Sequence, residues 1–398
     1  VGAVCAEAFT AQCTTLLDSG IVEKLKAKYF EVYIVETFDP CGIMLAHLIK
    51  PKSVIVISTS FLWVQQYDEI GLPKELSFNP SECCKTYHQS LLTFRESNWP
   101  TRRSIDALFK KRFGNDYPSI KEQTSHATWI FTNSEPIYDI ATPTLSKVVP
   151  IPGNAKEQRS MTFQYWTGVV TKRVRTVIIS FGTIARADVM PLEFKQSFVK
   201  MFNSFPHITF VLKYDDLEEE FAVKEFVKVE NLVLTKWMPQ NDLLDHARVV
   251  LFITHAGMGS VQELTLRGKP GLFIPLFGDQ MRNALMLEQN GSGVHLDKAE
   301  LGDADKLIAA VKEALEEHKY FTRAQETKKM IQGKPFSSTD MLLKHVSFAA
   351  TFGEVPAMRP RSHEMTWMEY HNADVWIFLF SMLVLLSLLG VLLLIGIV

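Results

Sequence analysis

The chain has 398 residues, 47% of them hydrophobic, and a formal net charge of −2 at pH 7. The length allows two domains of ordinary size and a tail, and the near-zero charge gives no electrostatic reason to expect a nucleic-acid partner. Five cysteines, an odd number without metal-ligand spacing, lie in the first quarter, so we expect no metal site and buried free thiols. They are Cys5, Cys13, Cys41, Cys83 and Cys84.

The first third of the chain has the order of a parallel α/β unit. Residues 9–28 are predicted to form one helix, residues 30–36 and 53–58 two strands, and residues 43–49 the helix between these strands. A strand, a helix and a second strand in this order predict a βαβ unit of a parallel sheet. Residues 61–113 mix aromatic with polar residues, which favours helices and loops that line an apolar pocket.

The middle of the chain predicts a boundary between two domains. Residues 128–133 have the pattern of another strand, and residues 148–153 form an extended, proline-containing segment. Residues 154–171 are polar and lack periodicity, so we place the domain linker there. The predicted first domain is 1–155, and the second is 156–352.

The second predicted domain begins with alternating strands and helices. Residues 176–180, 207–214 and 231–235 are predicted strands, and residues 192–205 a helix, as in a doubly wound parallel sheet. The first of these strands ends at the small-residue turn Phe181-Gly182-Thr183. Later in the chain, three further stretches have helical patterns: residues 301–313, 320–331 and 340–352.

The most informative stretch runs from Trp237 to Gln280. A buried strand at residues 249–253 ends in Thr254-His255-Ala256-Gly257, and a helix carrying Glu263 follows. A helix N-terminus has unpaired N–H groups and a partial positive charge, so it favours phosphate. Glycine in such a turn lets the backbone approach a ligand closely.

The side chains of this stretch fit a sugar nucleotide. The flat ring of Trp237 could stack on a base, and the carboxylate of Glu263 could bind ribose hydroxyls. Asp279 and Gln280 follow the next strand, so they should face the same crevice as His255 at the carboxyl edge of the sheet.

These residues resemble the signature of the UDP-glycosyltransferase family. Order and spacing match without a gap at Trp237, Gln240, Thr254-His255-Ala256-Gly257, Glu263 and Asp279-Gln280. The resemblance implies UDP-sugar contacts from Gly182, Thr183, Trp237, Met238, Gln240, His255, Gly257, Ser260, Glu263, Asp279 and Gln280. Many members have Asn at the position of Gly259, so a side-chain contact to phosphate is lost there. The neighbouring Ser260 could supply this contact instead.

The resemblance also implies the fold and the reaction. The expected architecture is two Rossmann-like domains in the glycosyltransferase-B arrangement, the first incomplete, with the last soluble helix packed back on the first domain. The expected reaction transfers a sugar from UDP to a small lipophilic acceptor, with inversion and without a metal or cofactor. UDP-glucuronic acid is the expected donor and UDP-glucose the alternative, while Gln280 argues against galactose.

The family's general base is a histidine near the N-terminus, and no histidine of this chain matches it. The supporting carboxylate falls on Glu36 when counted from Phe30, with Asp39 as a second candidate. His47 and His88 lie outside the family's context. We therefore expect the chain to be a fragment that is inactive alone.

An alternative to the enzyme is a sugar-nucleotide-binding fragment or an inactive partner subunit, which a histidine preceding Val1 would exclude. A nucleotide-sugar epimerase would need a three-glycine fingerprint, which is not visible in this sequence. Oligomerisation with itself or with a relative stays open.

Residues 375–398 are apolar throughout and carry no charge, which predicts a transmembrane helix. Trp367, Tyr370 and Trp376 near its start are typical of an interfacial aromatic belt, and residues 353–374 are the predicted lumenal connector. The resemblance implies a single-pass protein of the endoplasmic reticulum with a lumenal catalytic part, a missing signal peptide and a missing basic tail. Whether the sequon at Asn290 is glycosylated stays open.

Overall fold

The chain folds around two parallel sheets. The structure is a computed structural model that describes residues 2–62, 64–72, 99–153 and 163–397. The first sheet has the strand order β1-β2-β3-β4. Its strands are β1 (Val32–Glu36), β2 (Ser53–Ser58), β3 (Trp129–Thr132) and β4 (Val148–Pro150). The helices around it are α1 (Gly2–Asp18), α2 (Ile21–Lys26), α3 (Pro40–Ile49), α4 (Val64–Glu69), α5 (Trp99–Phe113) and α6 (Ile120–Ser125). We call this unit the first domain.

The second sheet has six strands in the order β10-β9-β8-β5-β6-β7, all parallel. They are β5 (Arg175–Ser180), β6 (Ile208–Lys213), β7 (Leu232–Thr235), β8 (Val249–Thr254), β9 (Gly271–Phe273) and β10 (Gly293–His295). The flanking helices are α7 (Phe163–Val170), α8 (Leu192–Ser204), α9 (Glu220–Lys224), α10 (Gln240–Asp245), α11 (Met258–Arg267), α12 (Gln280–Asn290), α13 (Ala304–Glu316) and α14 (His318–Gln332). This unit is the second domain, and the two parallel sheets confirm the predicted α/β class.

The strand order of the second sheet reverses between β5 and β8. The chain builds β6 and β7 on one side of β5, and then returns to build β8, β9 and β10 on the other side. Ser180 at the end of β5 is paired with Thr254 at the end of β8. Ligands of open α/β sheets bind in the crevice at such a reversal, outside the carboxyl ends of the strands.

The central strands of the second domain are apolar because helices cover both faces of the sheet. Val177 and Ile179 of β5 enter one core, whereas Ile178 between them enters the core on the opposite face. Phe252 of β8 also lies in this second core. The packing on both faces fixes the strand ends, and with them the turns that follow.

The predicted linker is wrong in its second half. Residues 163–170 form α7 rather than a loop, and Trp166, Val169 and Val170 are buried in the core of the second domain. The helix is too short for its apolar stripe to stand out among polar neighbours. The predicted boundary at residue 155 lies outside the described residues, as does much of the segment 61–113.

The first helix is also not as predicted. A single helix over residues 9–28 is replaced by α1 and α2, which are separated at Ser19 and Gly20. Gly20 has a φ of 73°, a left-handed conformation that glycine adopts at little cost. A break of this kind interrupts the helix without interrupting the apolar pattern that predicted it.

The prediction of free thiols is wrong for two cysteines. Cys13 of α1 and Cys41 of α3 form a disulfide, with their Cα atoms 5.7 Å apart. Both residues are buried in the core of the first domain. A buried cysteine has the same sequence pattern whether its thiol is free or forms a disulfide, so the sequence did not distinguish the two. Cys83 and Cys84 lie outside the described residues.

The helix that follows the second domain packs against the first sheet, as the resemblance implies. Ala349 of α15 (Ser338–Phe352) shares a small core with Ile55 and Phe131 of that sheet. The indole of Trp129 contacts His345 and Phe348 of α15 edge-on. The chain thus crosses back to the first domain before its C-terminal segment begins.

The C-terminal segment ends in one long apolar helix. After α16 (Trp367–Tyr370), helix α17 extends over Ala373–Ile397 and is long and apolar enough to cross a membrane. None of its apolar window is buried inside the protein. A core helix of a soluble domain would be covered, so this exposure favours the membrane interpretation of the sequence.

The disulfide should stabilise the first domain. Replacing Cys13 and Cys41 together by alanine should lower the free energy of unfolding by about 2–4 kcal/mol, because the cross-link closes a moderate loop in the unfolded chain. Denaturant unfolding in detergent measures this loss. Reduction of the unmodified protein should give the same shift, and an unchanged midpoint under both conditions would contradict the bond.

Candidate active site

A cavity of about 880 Å³ lies where the strand order of the second sheet reverses. The loops after β5, β7 and β8, the first turns of α11 and the end of the loop before α12 form its walls. Every residue that the sequence predicts as a donor contact lines it: Gly182, Thr183, Trp237, Met238, Gln240, His255, Gly257, Ser260, Glu263, Asp279 and Gln280. The fold thus brings together residues that are up to a hundred positions apart.

The imidazole of His255 lies between two glycines. A Cβ atom added to Gly182 would be 2.7 Å from Nε2 of His255, and one added to Gly257 would be 2.5 Å from the same atom. Real Cβ atoms do not approach this closely. Both positions therefore need glycine to make room for the ring, a reason beyond the close approach of a ligand.

Burial lowers the pKa of His255 to about 4, although a hydrogen bond to the Ser180 backbone raises it in part. At pH 7 the ring is therefore neutral and carries a single N–H. Thr254 Oγ1 is 3.4 Å from Nδ1 of the ring. His255 is therefore a polar group without charge at the edge of the cavity.

The turn that carries His255 has an unusual backbone. Ala256 is fully buried and adopts a φ of 61°, in the left-handed region that alanine rarely occupies. The side-chain amide of Asn283 donates a hydrogen bond to its carbonyl oxygen at 3.0 Å. A contact from α12 thus helps to hold the strained turn after β8.

The N-terminus of α11 faces the cavity. No side chain caps it at Gly257, and Met258, Gly259 and Ser260 of the first turn line the cavity. The free N–H groups of this turn are therefore directed to the space that a ligand would fill. A Cβ at Gly259 would meet nothing within 4 Å, so this position adds open volume to the site.

Glu263 has hydrogen-bond partners within the protein. Its carboxylate accepts hydrogen bonds from Gln240 Nε2 and from Asn241 Nδ2, the latter at 3.0 Å. Burial raises the pKa of this carboxyl group, and the two amide donors oppose the shift. Asn241 was not predicted from the sequence, although its place directly after Gln240 puts both amides on one helical turn.

Asp279 and Gln280 differ in how far they face the cavity. The Gln280 side-chain oxygen accepts hydrogen bonds from the backbone N–H groups of Leu276 and Phe277, at 2.9 and 3.0 Å. Asp279 Oδ2 accepts from Asn283 Nδ2 at 2.8 Å and from Ser60 Oγ of the first domain at 3.1 Å. The Gln280 side-chain oxygen thus stabilises the turn before α12, and only the side-chain nitrogen is left to contact a ligand.

Trp237 and Met238 are adjacent but take opposite environments. The Trp237 side chain is 70% exposed at the cavity wall, and its carbonyl oxygen accepts a hydrogen bond from Thr235 Oγ1 at 2.6 Å. Met238 is buried in the core of the second domain. The indole is therefore free to meet a flat ligand, whereas Met238 supports the wall from behind.

Lys213 is a cavity residue that the sequence analysis missed. It ends β6 and is mostly buried, and its ammonium group pairs with Asp215 Oδ1 at 2.5 Å. Asp215 Oδ2 in turn accepts from the backbone N–H of Ala187, in the loop after β5. The signal was present in the sequence, because a lysine directly after the apolar strand residues Phe210, Val211 and Leu212 lies at the same edge as the other site residues.

The predicted first-domain candidates do not line the cavity. Glu36 accepts hydrogen bonds from Phe38 N at 2.5 Å and from Thr59 Oγ1 at 3.3 Å, next to the Ser60 that reaches Asp279. Asp39 caps α3 through Cys41 N at 2.9 Å, which is the role of a turn residue.

The two histidines considered earlier have other surroundings. His47 is exposed, and its ring contacts the ring of Tyr117 edge-on with 5.0 Å between centroids. His88 lies outside the described residues. Among the described residues, no group of three or more His, Cys, Asp and Glu side chains could hold a metal ion.

Two glycines at the start of α11, Gly257 and Gly259, allow a matched test of the packing around His255. Gly257→Ala should lower the free energy of unfolding by about 1–3 kcal/mol, because the new methyl group overlaps the His255 ring. Gly259→Ala should leave it unchanged or raise it by up to about 1 kcal/mol, since the site is open and alanine favours a helix. Denaturant unfolding of both variants measures the difference. Equal changes in the free energy of unfolding would contradict the packing of the His255 ring against Gly257.

Comparison with known proteins identifies the family. The family described as UDP-glucoronosyl and UDP-glucosyl transferase matches residues 3–394. The putative UDP-glucuronosyltransferase ugt-48 of Caenorhabditis elegans is 28% identical over 383 residues, which cover 92% of this chain and 72% of the relative. UDP-glucuronosyltransferase 3A2 of Homo sapiens is 27% identical over 397 residues, covering 94% and 73%.

Solved structures show the same fold. The glycotransferase of kitacinnamycin superimposes with a TM-score of 0.60 at 17% identity, covering 84% of this chain and 82% of that one. The spinosyn rhamnosyltransferase SpnG, complexed with thymidine diphosphate, gives a TM-score of 0.57 at 15% identity, covering 86% and 78%. These likenesses confirm the glycosyltransferase-B arrangement. The chain belongs to the UDP-glucuronosyl and UDP-glucosyl transferase family and is a UDP-sugar glycosyltransferase of the UDP-glucuronosyltransferase type.

Proposed function

We propose that this protein transfers a glucuronosyl group from UDP-glucuronic acid to a hydroxyl group of a small lipophilic acceptor, with inversion at the anomeric carbon. The observation that carries the proposal is the convergence of all the predicted donor residues on one cavity at the reversal of strand order. The relatives named UDP-glucuronosyltransferase support glucuronic acid as the sugar. UDP-glucose is the alternative, because the family description includes glucosyl transfer.

In the proposed complex the nucleotide extends from Trp237 towards the N-terminus of α11. The uracil stacks on the exposed indole, and the ribose hydroxyls bind Glu263, which exchanges one of its amide partners for the ligand. The diphosphate lies against the unpaired N–H groups of the α11 first turn, where the helix dipole favours negative charge. The sugar then lies near Asp279 and the amide nitrogen of Gln280.

The reaction makes negative charge on the leaving UDP. The acceptor oxygen forms a bond to the anomeric carbon as it loses its proton to a general base, and the bond from that carbon to the diphosphate breaks. The family uses a histidine as this base, and no histidine of this chain matches it. The N–H groups of α11 are fixed before the reaction, so they stabilise the new charge without reorganisation. The diphosphate also favours the protonated form of His255, since an adjacent negative charge raises the pKa of an imidazole.

We also propose that α17 anchors the protein in the endoplasmic reticulum membrane, with both domains on the lumenal side. The apolar, uncovered helix supports the anchor. The disulfide between Cys13 and Cys41 supports the lumenal side, because disulfides persist in oxidising compartments and are rare in the cytosol.

The stacking role of Trp237 is tested by truncation. Trp237→Ala should weaken UDP binding by about tenfold or more, because stacking on a base contributes about 1–3 kcal/mol. Trp367→Ala is the matched control, since Trp367 is equally exposed at 70% but lies in α16, before the C-terminal helix. Titration calorimetry with the full chain compares the two, and unchanged affinity in Trp237→Ala with an intact fold would reject the stacking role.

The topology is tested in sealed microsomes. Protease added outside should leave the residues before Trp367 intact, because both domains lie inside the vesicle lumen. The same protease should digest these residues once detergent opens the membrane. A cytosolic-side marker protein serves as the control for protease activity. Digestion of the two domains without detergent would show that they face the cytosol.

A further inference from the structure

A buried arginine joins α12 of the second domain to two loops of the first domain. Arg282 is 2% exposed, and its Nη2 atom is 2.7 Å from Asp139 Oδ1. The guanidinium carbon lies 3.8 Å from the centroid of the Phe61 ring. Phe61 belongs to the loop after β2, and Asp139 to the loop after β3. The arginine is therefore held by a charge and an aromatic face that both come from the other domain.

The same turn of α12 carries a residue of the proposed sugar site. Asp279 directly precedes α12 and accepts hydrogen bonds from Ser60 of the first domain and from Asn283 of the helix itself. Ser60 and Phe61 are neighbours in the chain. One loop of the first domain thus contacts Asp279 through Ser60 and Arg282 through Phe61.

The physical chemistry makes this contact specific. A buried charge is costly unless it is paired and hydrogen-bonded. The planar guanidinium can stack on an aromatic ring and donate to a carboxylate at the same time, which the compact ammonium of lysine cannot reproduce. The position of the first turn of α12 therefore depends on the contacts that Arg282 makes with Phe61 and Asp139 of the first domain.

We infer that Arg282 is a positioning residue, which sets the Asp279 carboxylate against the donor sugar when the two domains are closed. The inference rests on the proposed role of Asp279 in binding the sugar. It goes beyond that role, because it makes sugar recognition depend on residues of the first domain, Phe61 and Asp139, that do not line the cavity. The nucleotide part of the donor binds at the other end of the cavity and does not depend on Arg282.

A second ion pair between the domains supplies a matched control. Lys334 Nζ is 2.8 Å from Glu135 Oε2, and Glu135 is 2% exposed. Both residues line a separate cavity of about 230 Å³, which contains none of the proposed donor residues. Breaking this pair weakens the contact between the domains without touching the turn that carries Asp279.

The test compares two ligands in titration calorimetry with the full chain in detergent. Arg282→Lys and Asp139→Asn should each weaken the binding of UDP-glucuronic acid by about tenfold and leave the binding of UDP within about twofold. Lys334→Gln, which breaks the control pair from the side that lies outside the loop of Asp139, should leave both affinities within about twofold. Phe61→Leu should repeat the selective loss in a milder form, and it serves if Arg282→Lys does not fold.

The double variant with Asp279→Asn completes the test. If Arg282 acts through Asp279, Arg282→Lys should add little to the loss that Asp279→Asn causes alone. Equal losses for UDP and UDP-glucuronic acid, or the same loss in Lys334→Gln, would overturn the inference. If Asp279→Asn has no effect, the sugar contact itself is wrong. If Asp279→Asn weakens binding and Arg282→Lys does not, only the positioning role is wrong.

Discussion

The site depends on the packing of one imidazole ring between the turns that follow two neighbouring strands. His255 follows β8 and packs against Gly182, which follows the neighbouring strand β5, and against Gly257 of its own turn. Any side chain at these glycines would displace the ring. Because the paired strands fix both turns, the N-terminus of α11 has a defined position relative to the loop after β5. The cavity, the direction of the free N–H groups and the place of Trp237 all follow from this geometry.

The carboxylates of the site are held before a ligand arrives, and part of the holding comes from the other domain. Glu263 is bound by two amides of α10, and Asp279 by Asn283 and by Ser60 of the first domain. Such preorganisation reduces the conformational entropy that donor binding must overcome. It also means that the donor exchanges hydrogen bonds with the protein rather than meeting bare charges. The second domain supplies the cavity, and the first domain fixes one of its carboxylates.

The resemblance to the family signature implied the cavity residues, and the apolar runs before several of them placed them at the ends of strands. The sequence could not predict α12, since the buried face of that helix includes the polar residues Arg282 and Asn283, which hide the apolar stripe. The disulfide was missed because a buried thiol and a buried half-cystine look alike in one sequence. Ser60 and Asp139 were missed because contacts between domains follow from three-dimensional packing, which spacing along the chain does not encode.

The most direct test of the account is an experimental structure of the full chain with UDP-glucuronic acid bound. The account predicts the uracil on the Trp237 ring, the diphosphate at the first turn of α11 beside His255, and a sugar hydroxyl within hydrogen-bond distance of Asp279. A nucleotide bound on another surface would contradict it. A diphosphate turned away from the α11 N-terminus would contradict it equally.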